Sequence, residues 1–108
     1  MKIEERNGCI VISPEGKLDT INAPQFSKEL LAVLEKKPKV CIVDLGEVSF
    51  LSSSGLQALL VGVKTSKKEG IGYGVCSMSE MVNDVFMLSG FDRFIDVFDD
   101  IEGAMKGL

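Results

Sequence analysis

Two four-residue runs, Cys-Ile-Val-Ile at 9–12 and Val-Cys-Ile-Val at 40–43, are apolar at every position and rich in β-branched side chains. A strand with one wet face alternates apolar and polar residues. Unbroken runs of this kind therefore predict strands covered on both sides. A sheet covered twice needs helices, and the intervening segments supply them. From residue 22, Phe26, Leu30, Val33 and Leu34 recur on one helical face, with Pro24 in the first turn and Pro38 as the stop. Gln25 stands three residues after Asn22, the spacing of a capping box. Leu56, Leu59, Leu60 and Val63 repeat at helical spacing opposite Gln57, Lys64, Thr65 and Lys68, predicting a second amphipathic helix that ends near Gly70.

Asn7-Gly8 between strand-like segments 2–6 and 9–13 predicts a hairpin. Residues 71–76 form a further strand, weakened by Gly72 and Gly74. Ser77 with Glu80 opens a helix through Val82, Val85 and Phe86 to Gly90. Residues 95–98 make a short strand, and Asp99 with Glu102 caps a small last helix. The order is ββαβαβαβα: an α/β fold with a mixed sheet of four to five strands and about four helices packed on it. The length predicts a single domain over residues 1–108.

Composition removes several functions. Lys plus Arg number 12 against 16 Asp plus Glu, and no basic block exceeds two residues, which argues against a nucleic-acid partner. The apolar runs are too short to cross a bilayer and the N-terminus, Met-Lys-Ile-Glu-Glu-Arg, is charged from its second residue, so the expected setting is cytoplasmic, without membrane or signal peptide. Cys9, Cys41 and Cys76 are odd in number and lack metal or redox spacing. Their expected place is the core. Met78, Met81 and Met87 are expected to fill core space as well. No histidine exists to act as general base or metal ligand. No P-loop is present, and Gly72-Tyr73-Gly74 lacks the third glycine of a dinucleotide fingerprint. An enzyme is disfavoured, and neither cofactor nor metal is expected.

The segment 48–60, Val-Ser-Phe-Leu-Ser-Ser-Ser-Gly-Leu-Gln-Ala-Leu-Leu, interrupts apolar sequence with three serines and a glycine at a predicted helix start. One serine suffices to cap a helix. The other two of Ser52, Ser53 and Ser54 are left without a structural task. A helix N-terminus tolerates an added phosphate, so an outward serine there suits a modification switch. The position lies beyond the carboxyl end of a strand, where sites in α/β folds gather. Val61, apolar within the helix's polar face, is a candidate partner contact.

Four segments in register resemble one family. Gly16-Lys17-Leu18-Asp19 resembles its G-x-L-D, while Val43-Asp44-Leu45 and Val48-Ser49-Phe50 resemble the strand and loop that follow. Ser53-Ser54-Gly55-Leu56 resembles D-S-S-G-L, and Leu88-Ser89-Gly90-Phe91 a late S-G-L/F. The chain resembles STAS domains throughout, and most closely the stand-alone bacterial anti-sigma factor antagonists. The resemblance implies a non-enzymatic binding protein whose unphosphorylated form binds an anti-sigma factor with a histidine-kinase-like ATPase fold, freeing a sigma factor for transcription. It implies that this partner phosphorylates Ser53, with Ser52 and Ser54 as alternates, and that a metal-dependent serine phosphatase reverses the step. Asp19, Thr20, Ser52, Ser54, Gly55, Gln57 and Val61 would form the docking surface. One position departs from the motif: Ser52 stands where the family has aspartate. That departure keeps open a second reading, a non-phosphorylated scaffold or accessory subunit of stressosome or lipid-transport type.

Overall fold

The computed structural model describes all 108 residues. In chain order the elements are β1 Lys2–Arg6, β2 Cys9–Ser13, β3 Gly16–Leu18, α1 Ala23–Glu35, β4 Val40–Asp44 and β5 Val48–Leu51. They continue with α2 Ser53–Glu69, β6 Gly72–Cys76, α3 Glu80–Ser89, a 3-10 turn at Phe91–Arg93, β7 Asp96–Phe98 and α4 Ile101–Gly107. The main sheet has the order β1-β2-β4-β6-β7, with β1 antiparallel to β2 and the other pairs parallel. Asn7 and Gly8 both take positive φ, at 49° and 83°, as the two-residue hairpin turn requires.

The unbroken apolar runs are explained by what lies on either face. Ile10, Ile12, Cys41, Val43, Tyr73 and Val75 join the larger core together with Phe26, Leu30, Leu59 and Phe86 from α1, α2 and α3. The alternate residues Cys9, Val11, Ile42 and Cys76 face Ala104 of α4 in a smaller cluster. Gly72 and Gly74 fall on that second face. A side chain at Gly74 would press on the Asp96 carbonyl and the Phe98 ring, each 3.0 Å from an added Cβ. The glycines make room for the last strand and helix and do not break the strand.

All three cysteines are buried and free. Burial pushes the Cys41 thiol from 9.0 up to about 12, with Cys9 adding in the same direction. The native state keeps a proton that the unfolded chain releases above pH 9.0, so this stability is intact below that pH and is lost as pH rises toward about 12. Buried Tyr73 shifts in the same direction. The urea midpoint should therefore fall steadily above that pH, and Cys41→Ala, although less stable near neutrality, should show a shallower alkaline decline.

Several local expectations are corrected. β3 and β5 pair in parallel as a separate two-stranded sheet that the ββαβαβαβα order omitted. Three and four residues are too few to display a period. Asn22 precedes α1 but makes no capping bond, and its side-chain amide donates to the Lys17 carbonyl instead. The Asp19 carboxylate takes the N–H groups of Ile21 and Asn22. Ser79, not Ser77, caps α3 through the Val82 N–H, because the helix begins at Glu80, and Ser77, two residues further out, donates its hydroxyl to Cys76 Sγ. Asp100, not Asp99, caps α4 through the Gly103 N–H.

The buried face of α2 is also rotated from the leucine stripe. Gly55, Ala58, Leu59, Gly62, Val63 and Ser66 face inward, while Leu56 and Leu60 are only half-buried. Close approach to neighbouring elements selects the small residues. Met81 and Met87 are exposed on α3 and fill no core space; Met78 is half-buried.

Candidate functional site

The small sheet positions the serine cluster. β3 ends at Leu18, and its carbonyl accepts both the Ser52 N–H at 3.0 Å and the Ser52 hydroxyl at 2.9 Å. The same Ser52 Oγ accepts the Gly55 N–H at 3.3 Å, with Ser52 in extended backbone as an N-cap should be. Gly55 permits this junction. A Cβ there would stand 2.6 Å from the Leu18 carbonyl oxygen and 2.9 Å from Leu18 Cβ and Leu51 Cδ1. So the first turn of α2 lies against β3 because residue 55 has no side chain.

The three serines thereby acquire three different environments. Ser52 is half-buried and committed as donor and acceptor. Ser54 is half-buried, with its hydroxyl 3.4 Å from that of Thr20. Ser53 is exposed at the first helical position, and its hydroxyl has no partner within the chain. The first turn of α2 carries no acidic residue, whereas its last turn carries Lys67 and Lys68. The helix dipole at Ser53 is thus uncompensated and would favour an added anion.

A shallow groove of ≈ 440 Å³ runs between α1 and α2 at this end, lined on the α2 side by Ser53, Ser54, Gln57, Ala58 and Val61. Thr20, Ala23, Pro24 and Ser27 form its other wall. The structure thus brings Thr20, Ser53, Ser54, Gln57 and Val61 to one surface. Asp19, Ser52 and Gly55 do not line it: Asp19 spends its carboxylate on its own loop, while the other two hold α2 against β3. The α1 wall was not foreseen, although Pro24 and Ser27 lie one turn apart at the edge of the predicted core stripe. Ile21, 85% exposed on the Asp19–Asn22 turn, was also missed; a lone apolar residue in a polar loop was its only signal.

Ser52 explains its own presence where the resembling motif has aspartate. Both residues cap helices well, but only the hydroxyl can also donate to Leu18. Ser52→Ala should therefore cost about 1–2 kcal/mol, a cap plus a hydrogen bond. Ser52→Asp should keep the cap yet remain below the native stability, since two acceptors would meet at Leu18. Ser53→Ala should leave the thermal midpoint unchanged. Melting curves of the three variants check this order.

A five-stranded mixed sheet carrying four helices, with an exposed hydroxyl at a helix start beside an inter-helix groove, defines an α/β module of one class. The chain belongs to the STAS domain family, whose model matches residues 1–104. It is 29% identical to the anti-sigma-F factor antagonist RsfB of Mycobacterium tuberculosis, covering 98% of this chain and 86% of that one. It is 28% identical to an anti-sigma-B factor antagonist of Listeria monocytogenes, over 99% and 94% of the two chains. The crystal structure of an anti-sigma factor antagonist from Mycobacterium paratuberculosis superimposes with a TM-score of 0.87 at 27% identity, covering 97% of this chain and 89% of that one. No helix is long and apolar enough to cross a membrane.

Proposed function

We propose that this chain is a phosphorylation-switched binding protein of the cytoplasm and not an enzyme. Its unphosphorylated form binds an anti-sigma factor with a histidine-kinase-like ATPase fold and so frees a sigma factor for transcription. The partner transfers the γ-phosphoryl group of ATP to the Ser53 hydroxyl, releasing ADP and the hydroxyl proton, and binding ends. A metal-dependent serine phosphatase hydrolyses the ester and restores the docking form. Thr20, Ser54, Gln57 and Val61 serve as contacts around Ser53, while Asp19, Ser52 and Gly55 set the shape of the surface. The names carried by the relatives support the partner class. The observation that carries the reading is the free, exposed hydroxyl of Ser53 between two engaged serines.

The test is to incubate the chain with its cognate kinase-like partner and magnesium-ATP, then to read intact mass and the modified peptide. One phosphate at Ser53, lost in Ser53→Ala, is the expected result. A phosphate elsewhere than residues 52–54, or none with a partner that binds, would refute the switch and favour a constitutive scaffold.

A further inference from the structure

Helix α3 carries apolar residues on two opposite sides. Val82 and Phe86 are buried against the core. On the other side Glu80, Met81, Asp84 and Leu88 point to solvent, with Met81 65% and Leu88 88% exposed. These positions lie within about a third of the helical circumference at 3.6 residues per turn, so they form one acidic, apolar stripe. Nothing in the chain covers it.

A matching surface lies across the 3-10 turn that follows α3. Phe94, 53% exposed, forms one wall of an apolar groove of ≈ 270 Å³. The other wall is Leu60, Val63, Lys64 and Lys67 of α2. Leu60, Lys64 and Lys67 follow at i, i+4 and i+7, and Met81, Asp84 and Leu88 at i, i+3 and i+7. Both stripes therefore run about 10 Å along their helices, at 1.5 Å per residue. One is apolar with a basic rim, and the other is apolar with an acidic rim. The ion pairs within the chain use neither Lys64 and Lys67 nor Glu80 and Asp84.

We infer that this face is a two-fold interface between two copies of the chain, with α3 of each copy seated in the α2–Phe94 groove of the other. Both halves of the contact lie on one chain, so a two-fold axis that seats α3 of one copy in the groove of the other seats the second pair as well, the isologous arrangement that closes a dimer. A chain of net charge −4 would otherwise repel its copy, and this pairing sets lysines against carboxylates at two symmetric places. The interface shares no residue with the groove at Ser53. The two surfaces use different residues, and the inference stands whether or not Ser53 is phosphorylated.

Sedimentation equilibrium of the full chain tests it, with circular dichroism confirming that each variant folds. The native chain should show a reversible monomer–dimer equilibrium that weakens with salt. Leu88→Asp should abolish the dimer. Lys64→Glu and Asp84→Lys should each weaken it by about tenfold or more, because repulsion replaces attraction twice per dimer. An equimolar mixture of those two variants should recover it, since every stripe then meets its opposite charge. A chain monomeric up to about 1 mM overturns the inference. So does a dimer indifferent to both reversals, or a mixture that stays dissociated. A monomer that instead co-sediments with phosphatidylcholine–phosphatidylglycerol vesicles would overturn it too, by assigning the face to an anionic membrane.

Discussion

Phosphorylation of Ser53 is expected to weaken capture of the kinase-like partner about a hundredfold while leaving the thermal midpoint of the chain in place. The magnitude follows from charge. A phosphoserine brings about −2 at neutral pH. For a partner whose carboxylate docks about 5 Å away, at an effective dielectric of about 40, the repulsion is then about 3 kcal/mol. At 1.4 kcal/mol per decade, that is roughly a hundredfold in affinity. Ser53→Glu carries half the charge, so its loss should be nearer tenfold. The fold is spared because the hydroxyl is exposed, makes no internal bond, and stands at the positive end of a 17-residue helix. Titration calorimetry against the partner, alongside melting of the free chain, checks both halves. A glutamate variant that binds normally would remove Ser53 from the docking surface. One that melts far below the native chain would make residue 53 a structural position.

Gly62→Val should destabilise the fold strongly. A Cβ at this position would stand 2.5 Å from the Tyr73 hydroxyl and 2.8 Å from both Tyr73 Cζ and Leu30 Cδ2. Tyr73 cannot move aside cheaply: it is buried in the central parallel strands, and its hydroxyl donates to the Leu59 carbonyl at 3.1 Å. Leu30 is fixed by the core of α1. Overpacking against two such neighbours should cost about 3 kcal/mol, at the upper end for inserted methyl groups. That is a large share of the 5–15 kcal/mol typical of a domain, and roughly 15 °C in thermal midpoint at this size. Adding Tyr73→Phe removes the nearest atom. The double variant should therefore be more stable than the sum of the single losses predicts, by about 0.5 kcal/mol or more. Urea unfolding of all four members of the cycle measures that coupling.

These two positions mark where the sequence was legible and where it was not. The doubly covered strands, the Asn-Gly hairpin, the buried cysteines and a serine-headed helix beyond a strand end could all be read from residues 2–13, 40–43, 52–69 and 71–76. Each rests on periodicity or turn chemistry within a few neighbours. The capping residues of α3 and α4 were misplaced because several polar side chains satisfied the same spacing, whereas Asn22 does stand at the start of α1 but makes no capping bond. The residue at which each helix begins, Glu80 and Ile101, decided between them.

By itself, then, the sequence determined the alternation of strands and helices, their two-sided burial, and a cluster of hydroxyls at one helix start. Only the tertiary structure decided which hydroxyl is free. Ser52 is claimed by the Leu18 carbonyl, 34 residues away, and Ser54 faces Thr20 across the same interval. Tertiary contact likewise turned the small residues of α2 inward and the methionines of α3 outward. Local order depends on residues a turn apart, whereas exposure is set by distant segments that fold against them, and no spacing along the chain records that distance.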